Sequence, residues 1–290
     1  EEQLVADQLA AHRFFDSHVD INAEARSFLA DTEVFAIGAT PTTDRIHALT
    51  DTVDVPIIAS LNGVTPGGWT TYARQLQDAG AAAIELNLYD VATDMAETGE
   101  EIERRQLQVV ADVAAEVTVP VSVKLSPFYA SVPSFVARLA QAGAAGVVLF
   151  NRYYQPDIDL ETLDIDRHLR LSTSAELPLR LHALAIVHGR TPLSLASSGG
   201  VHRGTDAVKA ILSGAHAVQM VSTLLEGGPD QLRQIHAEMT AWLDGHGYRD
   251  LGEARGATAL DNVANPHEFE RLNYAHLLQS WRPRTTGSTP

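Results

Sequence analysis

The residues best placed to do chemistry stand where apolar runs break into polar ones. "AIELNL" carries Glu85 and Asn87, "VSVKLSP" carries Lys124 and Ser126, and "VVLFNR" ends on Asn151 and Arg152. "IIASLNG" contributes Ser60 and Asn62, "LSLASSGG" Ser197, Ser198, Gly199 and Gly200, and "AVQMVST" Ser222 and Thr223. A lysine inside a buried strand is costly unless it is functional or paired with a carboxylate, so Lys124 is the strongest single signal. Each amide alone is as well explained by turn capping as by ligand contact. Polar groups at several strand ends on one rim point instead to a site.

These groups are positioned by a repeat. "VPIIASLNG", "VPVSVKLSP" and "TPLSLASSGG" each place a proline before a short apolar run, and each leads through a helical stretch to a Gly-Ala turn and a second apolar run. Each unit reads as strand, crossover helix and strand, with the glycine ending the helix. The apolar runs predict strands buried on both faces of a parallel sheet. Helices are expected between the units as well. In residues 100–118, Ile102, Gln106, Val109, Val110, Val113 and Val117 recur on one helical face, and residues 177–188 supply the other helix.

Strands are thus expected over 57–62, 83–88, 121–126, 146–151, 193–198 and 216–221, with helices between them and a last helix over 230–245. A closed (β/α)8 barrel needs eight strands. The first 50 residues offer no convincing pair, since "EVFAIG" is short and isolated and "EEQLVADQLAAHRFF" is helical in pattern. Two architectures stay open: an open doubly wound sheet, or a TIM-type barrel whose first two strands precede Glu1. The tail 283–290 is expected to be disordered.

In parallel α/β folds ligands bind at the carboxyl ends of the strands. "SSGGVHRGTDAVKAIL" ends a strand in Gly-Gly and starts a helix with Thr205 or Asp206 as cap. With Ser222 and Thr223 on the neighbouring loop, this end is expected to bind phosphate through backbone N–H groups.

With a formal charge of −16 and no cysteine, nonspecific binding to nucleic acid or an anionic membrane is disfavoured. Cysteine-ligated clusters, thiolate zinc sites and a cysteine base are excluded in this chain. No apolar run reaches membrane-helix length, and a cytoplasmic location is expected. The histidines show no metal-ligand spacing; His12, His18, His47, His168, His182, His188, His216, His236 and His246 read as surface or turn residues. No G-x-S-x-G elbow, P-loop or G-x-G-x-x-G stands in the chain.

The ordered set "IIASLNG", "AIELNL", "PVSVKLSPF", "GVVLFNR", "SSGGV" and "GAHAVQMVSTLLEGGP" resembles the flavin-binding barrel of the dihydroorotate dehydrogenases, class 1 especially, over roughly residues 55–250. "GYRDL" resembles a segment near that family's C-terminus. The resemblance implies a TIM-type (β/α)8 barrel, with about six of its eight strands in this chain. It implies a single FMN-binding domain over residues 1–282, a homodimer, and a separate chain or segment supplying the missing strands.

Carried over by motif, the resemblance places Asn87, Lys124 and Asn151 beside the flavin ring. Ser198, Gly199, Gly200, Ser222 and Thr223 fall at its phosphate, and Asn62, Asn87, Asn151 and Arg152 near substrate. Val221 stands where the family has a glycine. The family's "NLSCPN" is "NLYDVA" here: Asp90 takes the place of the class 1 base cysteine, and Ala92 that of an asparagine that grips orotate. Two readings of Asp90 stay open, a carboxylate base or a solvated loop residue.

The expected activity is FMN-dependent oxidation or reduction of a small dihydropyrimidine-like or related substrate in pyrimidine metabolism, not dihydroorotate itself. A non-catalytic barrel binding FMN or another phosphate ligand is the alternative, and no metal is expected. A sugar-phosphate barrel would explain the Gly-Gly turn but not Lys124 with Asn87.

Overall fold

The computed structural model describes residues 39–62, 66–152, 157–166, 170–269 and 273–281. The chain separates into two compact units, residues 1–155 with 192–194, and residues 156–191 with 195–290.

The first unit opens with helix α1 (Ala39–Thr52), which the sequence pattern did not announce, and continues β1 (Ile58–Leu61), α2 (Pro66–Asp78), β2 (Ala83–Leu88), α3 (Gly99–Glu116), β3 (Val121–Leu125), α4 (Val132–Gln141) and β4 (Gly146–Leu149). Its strands pair in parallel in the order β1, β2, β3, β4, with Ser60 opposite Glu85 and Asn87 opposite Lys124. The repeat's glycines do what their placement predicted. Gly80 and Gly143 close α2 and α4 at φ of +98° and +96°, a conformation in which a side chain is strained. "EVFAIG", the helical pattern at the start of the chain and the tail 283–290 lie outside the described residues.

The strands are not continuously buried, contrary to the sequence expectation. One face of β1 to β3 carries Ala59 and Leu61, then Ile84, Leu86 and Leu88, then Val121, Val123 and Leu125, all buried. The opposite face carries Ser60, then Glu85 and Asn87, then Ser122 and Lys124. Burial alternates strictly along β1 and β3, the period-two signature of a strand with one apolar and one polar face. Ser60, Glu85, Asn87, Ser122 and Lys124 interrupt the apolar run at every second position, which is what the run-length reading overlooked.

The second unit holds a short antiparallel pair, β5 (Asp157–Ile158) and β6 (Ile165–Asp166), then α5 (Leu177–Val187), β7 (Ser194–Ser198), α6 (Gly204–Leu212) and β8 (Ala217–Gln219). It ends with α7 (Ser222–Gly227), α8 (Asp230–Gly245), α9 (Leu251–Ala254) and α10 (Asn273–Ser280). β7 and β8 are parallel, and Ala196 faces Ala217. Leu177, Val201, Ala207 and Ile235 form a buried core, with Leu181, Val218, Met220 and Met239 against it. Gly204 lets α6 and α8 meet closely: a Cβ there would lie 2.7 Å from the Met239 amide nitrogen. Thus, among the described residues, six parallel strands alternate with helices, the α/β class expected.

Candidate functional site

In the first unit the polar face of the strands builds a connected set. Glu85 is 5% exposed and accepts a hydrogen bond from Ser60 Oγ at 3.1 Å. The Lys124 ammonium lies 3.6 Å from the same Glu85 oxygen. Lys124 therefore has the carboxylate partner that a structural reading required, and it sits in an ion pair on the polar face. Just past it, Asn151 donates from its side chain to Asn87 Oδ1 at 2.8 Å. The Asn151 amide continues the ladder onto the Leu125 carbonyl at 2.7 Å. An ammonium and two mutually oriented amides supply donors and acceptors of the kind a pyrimidine-dione edge needs. This donor set fits the ring of a flavin.

The loop after β2 is built differently. Asp90 is exposed, and its Oδ2 accepts from Arg105 Nη2 of α3 at 2.5 Å; Arg105 also binds Glu97. The Glu97 and Asp90 carboxylates push the Arg105 guanidinium up from its already high range. Asp94 Oδ1 accepts from the Ala96 amide at 2.8 Å. Thr98 and Glu101 form a reciprocal capping box at the start of α3. Asp90 and Glu97 thus fasten the loop to its own helix, and Asp94 holds a turn within the loop. A cavity of about 640 Å³ lined by Asp94, Glu97, Arg104, Arg105 and Asp112 lies on this outer side.

After β3, Ser126 Oγ accepts from the Phe128 amide at 3.1 Å, which makes Ser126 a turn cap. Tyr129 donates to Gln106 at 2.9 Å and stacks on Phe135; burial pushes its hydroxyl pKa up. Asn62 is exposed and Arg152 half-buried.

The second unit contains a hydroxyl cluster that the sequence revealed only in part. Ser222 Oγ accepts from the Ser172 amide at 3.1 Å and from Ser172 Oγ at 2.9 Å. Ser172 Oγ in turn lies 3.5 Å from the Gly200 amide, which donates to it, and 3.4 Å from His202 Nε2. Ser172 and His202 were missed; Ser172 lies in "LSTSAE", which has no strand signal. Gly199 and Gly200 are left-handed, at φ of +87° and +79°. A Cβ on Gly200 would meet the Leu177 amide nitrogen at 2.7 Å, and one on Gly199 the Arg180 guanidinium at 3.1 Å. The two glycines are needed first for this approach of α5. Buried Arg180 donates to the Ser198 and Glu176 carbonyls at 3.0 and 2.8 Å, tying the turn down.

The start of α6 corrects the capping expectation. The N-cap is Arg203, and Asp206 Oδ2 reaches back to accept from the His202 and Arg203 amides at 3.1 and 3.2 Å. The Gly204 amide donates to Glu238 at 2.7 Å and holds that carboxyl below the usual range. The amides of 202–204 are therefore already satisfied by carboxylates. A phosphate fits this unit through the Ser172 and Ser222 hydroxyls and the turn beside them. Thr223 is buried, and Val221 adopts φ −122°, so the backbone there accommodates valine where the family motif has glycine. Ser197 is buried, with no partner for its hydroxyl among the described residues, on the β7 face it shares with Leu195.

Among the histidines, His216 Nδ1 accepts from the Leu195 amide at 3.0 Å, so it is a structural acceptor. His12, His18 and His168 lie outside the described residues. Among the described residues no cluster of His, Asp and Glu could hold a metal ion, and no helix is long and apolar enough to cross a membrane.

A family model for dihydroorotate dehydrogenase matches residues 31–243. The chain belongs to the dihydroorotate dehydrogenase family. The six parallel strands among its described residues are those of that family's TIM-type α/β barrel. A protein of Aeropyrum pernix, provisionally named dihydroorotate dehydrogenase A (fumarate), is 32% identical over 70% of this chain and 67% of its own length. Catalytic subunits of dihydroorotate dehydrogenase B (NAD(+)) from Desulforudis audaxviator and Shouchella clausii are 31% and 28% identical, over 70% and 67% of this chain and 68% and 65% of their own lengths. The chain thus spans about two thirds of these relatives.

Proposed function

We propose that the chain is an FMN-dependent oxidoreductase acting on a CH–CH bond of a small dihydropyrimidine-like or related substrate other than dihydroorotate. The observation that carries this reading is the Lys124, Asn87 and Asn151 set on the polar face of adjacent parallel strands. FMN, when bound, supplies the hydride-accepting ring. Lys124 places a cation against the pyrimidine edge, where negative charge develops on reduction. Asn87 and Asn151 orient the ring side, and with Asn62 and Arg152 they line the substrate position. Ser198, Gly199, Gly200, Ser222 and Thr223 hold the phosphate. Ala92 in place of an orotate-gripping asparagine supports the exclusion of dihydroorotate.

Within this reading residues 1–282 form one FMN-binding barrel domain that works in the cytoplasm as a homodimer, with a separate segment completing the strands and no resident metal. Electrons leave to a soluble acceptor, to oxygen or to a separate subunit. Fumarate and NAD(+) in the relatives' names are the acceptor classes to try first.

A second reading, a non-catalytic barrel holding FMN or another phosphate ligand, is favoured by one observation: Asp90, the candidate base, is engaged by Arg105. Titrating the full chain with FMN and then adding dihydropyrimidines anaerobically separates the readings. Uptake followed by bleaching of the flavin's visible band supports the enzyme. Uptake without bleaching by any substrate selects the second reading, and no uptake defeats both forms of the FMN assignment.

A further inference from the structure

We infer that Glu85 is a positioning residue that fixes both the place and the net charge of the Lys124 ammonium, with Ser60 as its anchor; the inference rests on the FMN reading above. Three neighbouring strands contribute one residue each on one face. Ser60 stands opposite Glu85 in the β1–β2 register, and Lys124 stands opposite Asn87 in the β2–β3 register. The ammonium nevertheless reaches Glu85, two residues before Asn87, along the diagonal that long side chains span between strands. The lysine is thereby drawn back along its strand. Glu85 cannot follow it outward, because its Oε1 also accepts from Ser60 Oγ and the residue is 5% exposed.

A carboxylate and an ammonium 3.6 Å apart form an ion pair whose fields largely cancel at a distance, so Glu85 offsets part of the cation that Lys124 presents. A substrate-binding role does not require such a partner, and a purely structural pair would not influence a cofactor. Glu85 does both through Lys124. It holds the ammonium in one place, and it limits how strongly the cation favours a reduced, anionic ring.

Reductive titration of the FMN-loaded full chain against reference dyes tests this, with FMN binding titrated in parallel. Glu85→Gln keeps the shape and removes the charge, and it should raise the flavin midpoint potential. Lys124→Met should lower it. In the Lys124→Met background, adding Glu85→Gln should shift the potential less than it does in the wild type, because no ammonium is left for Glu85 to place or offset. Ser60→Ala should shift the potential the same way as Glu85→Gln, but less.

An unshifted potential in folded Glu85→Gln overturns the inference. So does the same upward shift with and without Lys124, which would mean that Glu85 acts on the flavin directly. If Glu85→Gln does not fold, Ser60→Ala decides, and an unshifted potential there overturns the inference. A wild-type chain that takes up no FMN overturns the FMN reading itself and the inference with it, and that is seen before any variant is made.

Discussion

The two units solve the same problem, holding polar groups at the ends of buried strands, in different ways. In the first unit the groups are carried by the strands themselves, and a charge pair of buried Glu85 with half-buried Lys124 sits among them. In the second unit the groups lie on a loop and a helix start, where the Ser172 and Ser222 hydroxyls bond one another beside the Gly200 amide. There the charges serve as caps: Asp206 and Glu238 bind the amides at the start of α6, and Arg180 binds the Ser198 and Glu176 carbonyls. Strand-borne charges are fixed by register, so they can set a field. The Ser172 and Ser222 hydroxyls are fixed by one another and by the Gly200 amide, so they can fit a shape. The first arrangement suits a ring whose charge changes, and the second suits a phosphate whose charge does not.

The comparison can be broken most forcefully at Arg180. Arg180→Leu leaves the Ser198 and Glu176 carbonyls without their donor and should cost about 3 kcal/mol of unfolding free energy in urea. A loss under a third of that would mean the second unit does not depend on its capping charges. Gly200→Ala should cost about 2 kcal/mol, from a left-handed φ and the close Leu177 amide, with FMN binding weakened in the same protein. Unchanged stability would show that the turn can relax away from α5. Ser172→Ala removes hydroxyl bonds worth about 1 kcal/mol and should weaken FMN uptake without shifting the flavin potential. A shifted potential there would erase the distinction drawn between the units.

His216 sharpens the comparison through pH. Burial first, then the charges of Arg255 and His188, hold its pKa below the ordinary imidazole range. The unfolded chain therefore binds the proton more readily than the folded one, so His216 lowers stability as pH falls below its unfolded pKa and not above it. Wild type should lose more of its urea midpoint between about pH 7 and pH 5 than His216→Gln does; equal losses would place the burial effect elsewhere. The smallest effect belongs to Asp90. Its exposed bridge to Arg105 is worth about 0.5 kcal/mol or less, so Asp90→Ala should barely change the unfolding midpoint. If the variant abolishes substrate-driven flavin bleaching, Asp90 is the base despite its bridge; retained bleaching assigns it to the loop.

Much of this architecture could be read before folding was considered. The proline-to-glycine repeat located each strand and helix of the three βαβ units within a few residues, because proline, helical period and left-handed glycine act within a turn or two of the chain. Val109, Val110 and Val113 fell on the buried face of α3 as their spacing required. Helix α1 was overlooked because its sequence, rich in threonine, has a weak pattern. The polar face of the strands was overlooked because apolar content was counted along a run rather than at alternate positions. Asp206 was placed at the start of α6, but its reach back to Arg203 from the third helical position depends on cap geometry.

By itself, then, the sequence determined a parallel α/β chain with polar strand ends, a lysine that needed an explanation, and a loop after Leu88 that departs from its family. Only the tertiary structure decided which carboxylate explains Lys124, that Asp90 faces Arg105, and that two carboxylates occupy the amides before α6. Each of these pairs joins residues on different elements, or across a cap. Their meeting is set by strand register and helix packing, which no local pattern encodes.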